Sequence, residues 1–200
     1  MMPEEQTNRR TRRTRLALKT AFIELILEKD YDAVTILDIA ERADYNRGTF
    51  YKHFIDKEDL LREIHDDFLL HISEALVQPY SGLQQVDAAM IAPSIHELFR
   101  HIETHKDVFL ALLSVSREKL RADLLQTFRH SMQEDMHIEM KPGAPQLDYE
   151  IILSYQTSAT VGVIMYWAES RFKYSADFMA GQLTLLVNTP IDHIVFKRRT

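Results

Sequence analysis

The stretch IILSYQTSATVGVIMYWA, Ile151 to Ala168, runs for 18 residues without a charge. A helix with no charged face has to be covered nearly all round. The length is enough to cross a bilayer, but Ser154, Gln156, Thr157, Ser158 and Thr160 make it too polar, and no second such segment exists. Two covers are left. The segment is either the central helix of a monomeric bundle or, more economically, packs on its own bundle on one side and on a second copy of the chain on the other. Gly162 then permits close approach. The residues expected at that homodimer interface are Ser158, Val161, Gly162 and Met165, with Phe178, Gln182 and Leu185 from the following helix.

The rest of the chain also reads as helix. Only 5 glycines and 6 prolines interrupt it, and strict period-2 alternation is hard to find, so the expected fold class is all-α. Leu18, Ala21, Phe22, Leu25 and Ile26 form one apolar stripe of a helix over roughly 9–29. Thr35 stands where an N-cap belongs before ILDIAERA, and Asn46 does the same before RGTFYKHF. A long helix follows from Lys57 to about Val77. A looser connection over 78–93 leads to a helix around Ile95 to Ile102, and others are expected near 107–114, 117–139, 148–170 and 176–188. KPGAP at 141–145 reads as a break.

Two short helices about three residues apart read as a helix-turn-helix. The expected partition is a three-helix domain over residues 1–56, with a basic N-terminal arm, and a helical bundle over 57–200.

Charge is unevenly spread. The formal net charge is −6, yet five arginines and no acid lie between Arg9 and Arg15, while residues 61–200 carry 13 Lys and Arg against 18 Asp and Glu. A basic run before a first helix is either a solvated end or an arm that neutralises phosphates. The second reading places Arg9, Arg10, Arg12 and Arg13 on DNA. Cysteine is absent and no apolar run follows the N-terminal basic residues, so a cytoplasmic protein is expected.

The second helix of a helix-turn-helix enters the major groove by its N-terminal part. Arg47 stands there, and its guanidinium can give two parallel hydrogen bonds to guanine O6 and N7. Asn46 caps that helix, Gly48 lets the backbone come close, and Thr49 offers a hydroxyl and a methyl. Tyr51, Lys52 and His53 suit phosphate oxygens, and Lys57 can reach the same strand. Phe50 and Phe54 are four apart and are assigned to packing.

T-x-x-x-I-A-x-x-A at 35–43 followed by G-T-F-Y-x-H-F-x-x-K-E-x-L at 48–60 resembles the DNA-binding domain of the TetR family of bacterial transcriptional regulators. LFRHIETHKDVFLALL and GVIMYWAES are similar to the C-terminal domain of one large subgroup of that family. The resemblance implies a homodimer acting on double-stranded DNA with a palindromic operator, and a bundle that holds a small-molecule effector. It implies DNA contacts from Thr35, Arg47, Thr49, Tyr51, Lys52, His53 and Lys57, and a bacterial, nucleoid-associated location. The chain departs from the pattern at Asp44, where the family usually has glycine, and at Tyr45, where it has a small aliphatic residue. Asp tolerates a left-handed turn less easily than Gly, and it brings a negative charge near the phosphates.

For an effector, the candidate lining residues are Phe68, His71, Phe99, Phe109, Phe128, Met132, Tyr155 and Trp167, each of which also suits plain core. An apolar or aromatic ligand fits such a set. His101 and His105 have zinc-compatible i, i+4 spacing with Glu97 one turn earlier, but a terminal or exposed role fits them as well, and no HExxH is present. There is no P-loop, dinucleotide fingerprint or G-x-S-x-G. The expectation is a DNA-binding regulator, most simply a repressor relieved by a ligand, with no metal, no cofactor and no catalysis. The alternatives are an architectural DNA-binding protein without an effector and a helical metal enzyme.

Overall fold

The apolar stripe from Leu18 to Ile26 lies buried along the first helix, α1 (Pro3–Lys29). The computed structural model describes residues 3–83, 92–135 and 147–188, and among these every regular element is a helix and none is a strand. α1 starts well ahead of residue 9, so the arginine cluster rides on a continuous helix and not on an extended arm. The reason is local. Proline is favoured at a first helical position, no glycine or proline follows it before Lys29, and arginine is a good helix former.

Thr35 caps α2 (Ile36–Arg42) in a reciprocal pair: its hydroxyl accepts from the Asp38 N–H at 3.2 Å, and its own N–H donates to the Asp38 carboxylate at 2.8 Å. α2 ends on Asp44, which takes φ = +59°. The Asp44 N–H bonds back to the Glu41 carbonyl and the Tyr45 N–H to the Ala40 carbonyl, at 3.1 and 2.8 Å. This left-handed closure is one in which glycine is the usual residue.

α3 (Arg47–Tyr51) is shorter than the apolar pattern RGTFYKHF suggests. Asp56 then accepts from the Asp59 N–H at 2.7 Å and starts α4 (Lys57–Val77). A 3₁₀ turn at Gln78–Tyr80 follows. Next come α5 (Ala92–Thr104), α6 (Lys106–Val115) and α7 (Arg117–His130), which relaxes into a π turn at Ser131–Asp135. α8 (Tyr149–Glu169) and α9 (Ala176–Asn188) complete the described chain. The expected break at 141–145 and the end of the helix expected to reach 139 lie outside the described residues.

Two apolar clusters organise these helices. The first joins Leu18, Phe22 and Ile26 of α1, Ile39 of α2, Phe50 and Phe54, Leu60 and Ile64 of α4, and Ala111 of α6. The second joins Phe68, Ile72 and Leu76 of α4 to Leu98, Phe99 and Ile102, Phe109, Leu124 and Phe128, Ile164 and Trp167, and Leu183. α4 runs through both, and α6 touches both, so the helix that follows the helix-turn-helix is also a wall of the bundle.

α8 is not covered all round within one chain. Leu153, Thr157, Val161, Ile164 and Trp167 are buried, while Ile151, Tyr155 and Tyr166 are 69, 69 and 57% exposed on the opposite face. Among the described residues no helix is long and apolar enough to cross a membrane.

Candidate nucleic-acid interface

α3 is held by few contacts, and each is visible in its sequence. Asn46 Oδ1 accepts from both the backbone N–H of Thr49, at 2.8 Å, and the Thr49 hydroxyl, at 3.1 Å. A Cβ at Gly48 would stand 3.3 Å from that same oxygen, so glycine leaves the cap undisturbed. Phe50 is fully buried and anchors the helix from below, tilted against Phe54 at 5.7 Å between ring centres.

That anchoring turns the polar side chains outward. Arg47 is exposed, and its Nη2 donates to the Tyr51 phenol at 3.0 Å. Tyr51 and Lys52 are also exposed, and Thr49 is half-buried. His53 is half-buried too. Burial first, then the positive charges of Arg15 and Lys52, push its pKa below the usual imidazole value. Above that pKa it can give a phosphate a hydrogen bond but no charge.

Lys57 is placed differently from its neighbours. Its ammonium donates to the carbonyls of Tyr31 and Val34 at 3.0 and 3.2 Å and lies 4.2 Å from the Tyr31 ring centre. It ties the α1–α2 turn to the start of α4. The Thr35 hydroxyl is likewise engaged, donating to Asp38 at 2.6 Å, although the residue itself is exposed.

Arg9, Arg10, Arg12 and Arg13 are exposed on α1 and make no ion pair among the described residues. Arg10 faces an open concavity lined also by Glu41, Asp44, Tyr45, Asn46 and Thr49. Thr14, which is buried, fixes that wall: its hydroxyl donates to the Arg10 carbonyl at 3.0 Å and shares a hydrogen bond with the Tyr45 phenol at 3.4 Å. Asp44 and Glu41 put two carboxylates in the concavity, opposite in sign to the arginines. Thr14, Arg15 and Tyr45 carry no weight in the motif, yet they join α1 to the helix-turn-helix. A signal existed for Arg15, which stands three before Leu18 and seven before Phe22 on the buried stripe.

In the bundle, Phe68, Phe99, Phe109, Phe128 and Trp167 come together in the second cluster, with Phe99 and Trp167 5.3 Å apart and Phe68 edge-on to Phe109 at 5.7 Å. Met132 is half-buried in the π turn. His71 is exposed, and Tyr155 lies on the open face of α8, away from the aromatic cluster. Of the residues expected at a dimer interface, Ser158, Gly162, Phe178, Gln182 and Leu185 lie on exposed faces of α8 and α9, whereas Val161 and Met165 are buried within the chain.

His101 meets His105 at 4.2 Å and His71 at 5.6 Å between ring centres. Desolvation, then His105 and His71, push its pKa down to about 4. Among the described residues no three His, Cys, Asp or Glu side chains are placed to hold a metal ion.

The helix-turn-helix and its surroundings match a known family. Residues 19–64 match the family described as bacterial regulatory proteins, tetR family, and residues 91–189 match a transcriptional regulator C-terminal region. The chain is 27% identical over 176 residues to the HTH-type transcriptional regulator YxbF of Bacillus subtilis strain 168, a match covering 86% of this chain and 44% of that protein. The chain thus spans about half the length, or less, of the curated relatives it matches first.

Solved structures share the fold, among them the following two. One is a TetR transcriptional regulator from Streptococcus agalactiae 2603V, with TM-score 0.60, 20% identity, and 92% of this chain and 98% of that one covered. The other is NalD, the secondary repressor of the MexAB-OprM multidrug efflux pump in Pseudomonas aeruginosa, with TM-score 0.58, 18% identity, and 87% and 94% covered. On these matches the chain is not an enzyme. It belongs to the TetR family of bacterial HTH-type DNA-binding transcriptional regulators.

Proposed function

We propose that this regulator is a homodimeric repressor that reads a palindromic operator and is released by a small apolar or aromatic ligand. In this reading residues 1–56 bind DNA and residues 57–200 dimerise and hold the ligand, in the bacterial cytoplasm on the nucleoid. The observation that carries the dimer is the apolar face left open by α8 and α9. Tyr155, Gly162 and Tyr166 on one helix and Phe178 and Leu185 on the next are exposed at helical spacing. An apolar patch of this kind on one side of a soluble chain marks an association surface. A two-fold pairing there would present two α3 helices to successive major grooves, which a palindrome matches.

On the DNA side, Arg47 reads bases, with Asn46, Gly48 and Thr49 at the groove floor. Tyr51, Lys52, His53 and, on α1, Arg9, Arg10, Arg12 and Arg13 bind phosphates. The sign of regulation is carried over from NalD, a repressor of the same fold. A ligand releases DNA only by binding one arrangement of the two reading helices better than another. Thermal-shift screening against apolar and aromatic compounds tests this part: a compound that raises Tm and weakens operator binding supports it.

A second reading has its own support. Phe99, Phe109, Phe128 and Trp167 are each fully buried against one another, as in a plain core. If no compound shifts Tm, the bundle serves only to dimerise, and the protein is an architectural DNA binder.

A further inference from the structure

Of the five arginines between residues 9 and 15, one is not like the others. Arg9, Arg10, Arg12 and Arg13 are exposed and unpaired among the described residues, whereas Arg15 is committed in three directions at once. Its guanidinium pairs with the Glu63 carboxylate of α4, donates through Nη1 to the His53 carbonyl at 3.0 Å, and lies 4.5 Å from the centre of the Phe54 ring. Lys19, one turn on, reaches the same Glu63 at 2.6 Å and also pairs with Asp67. Two cations of α1 and two acids of α4 therefore interlock along the seam between these helices.

The His53 carbonyl gives this seam its consequence. It lies just past the end of α3, where helix carbonyls have no partner inside the helix. α3 is five residues long and has little stiffness of its own, so its aim depends on what holds its two ends. Asn46 holds the first end. Arg15 holds the other, and its planar guanidinium sets the carboxylate and the carbonyl in one fixed fork against the Phe54 ring, a geometry that a compact ammonium on a flexible stem does not reproduce.

We propose that Arg15 is a positioning residue: clamped by Glu63, it fixes α3 against α1 and α4 and does not itself touch DNA. Glu63 belongs to the reading head although it is an acid on a helix outside the motif. A side chain that binds phosphate and one that aims α3 respond oppositely to loss of Glu63. Freed from its carboxylate, a phosphate-binding Arg15 would strengthen binding, whereas a clamp would fail.

The test uses the full-length protein and a duplex that the wild type itself selects from random DNA. Affinity is measured over a series of salt concentrations, beside an unrelated duplex. Glu63→Gln and Arg15→Lys are each expected to weaken binding to the selected duplex about three- to tenfold, the net worth of one typical intramolecular hydrogen bond. Binding to the unrelated duplex and the salt slope should stay at the wild-type values, and the double variant should be no worse than either single one. The proposal is overturned if Glu63→Gln binds as tightly as wild type or tighter, if Arg15→Lys behaves as wild type, or if Arg15→Ala lowers the salt slope by about one. Thermal melts accompany each variant. Should Glu63→Gln prove unfolded at the assay temperature, Arg15→Lys, which alters only a partly exposed side chain, decides alone.

Discussion

The Arg47 guanidinium donates to the Tyr51 phenol at 3.0 Å and lies 5.5 Å from the centre of its ring, one helical turn away. Both side chains are exposed, so the pair is aimed by its own contact before any DNA arrives. Arg47→Ala is expected to cost on the order of 1 to 3 kcal/mol and to relax preference at one operator position. Tyr51→Phe keeps the ring but removes the acceptor, and should cost less, about 1 kcal/mol. Binding to single-base variants of a selected duplex checks both. Equal discrimination by wild type and Arg47→Ala would remove the direct contact.

Asp44 occupies a left-handed conformation in the concavity that Arg10 faces. Asp44→Gly relieves that strain and removes a negative charge. It is expected to stabilise the fold by roughly 0.5 to 1 kcal/mol and to tighten DNA binding. Urea titration and binding at low salt measure the two effects separately.

Lys57 gives its protons to the Tyr31 and Val34 carbonyls. Lys57→Met should therefore lower stability by about 1 to 2 kcal/mol while leaving the salt slope of DNA binding unchanged. A reduced slope with unchanged stability would instead return Lys57 to the phosphates.

The His101 pKa falls from its ordinary 6.5 to about 4 in the folded chain, through burial and its two histidine neighbours. The unfolded chain thus binds a proton more readily than the folded one between these values. The stability this confers is complete above pH 6.5 and is lost as pH falls towards 4. Urea midpoints between pH 7.5 and 4 should show the loss, and His101→Gln should flatten it.

Gly162 on α8 has open space where a side chain would stand. Gly162→Leu leaves the single chain sterically undisturbed and suits a helix better, yet it fills the surface proposed for pairing. Light scattering should find a shift from dimer to monomer at unchanged helix content. A dimer that survives the change would move the interface elsewhere.

The starts of α2 and α3 are legible because a cap residue stands before each, Thr35 for one and Asn46 for the other, although α3 ends sooner than its pattern suggests. The start of α1 was not, because a run of arginines has no apolar period and looks the same in an arm as in a helix. Contacts between distant segments were hidden too. Nothing in the spacing brings Lys57 to the Tyr31 carbonyl or His71 beside His101, since both depend on how whole helices pack. The uncharged run of α8 asks for cover on all sides, and within one chain Ile151, Tyr155 and Tyr166 are left uncovered.

Selection of bound fragments from random DNA, followed by counting the chains on the recovered duplex, bears most directly on the central claim. A homodimer reading a palindrome should enrich one with half-sites about one helical turn or a multiple apart, carrying an even number of chains. Affinity should fall steeply with salt, and enrichment should be lost in Arg47→Ala. Recovery of no common sequence, or of an asymmetric site holding a single chain, would contradict it.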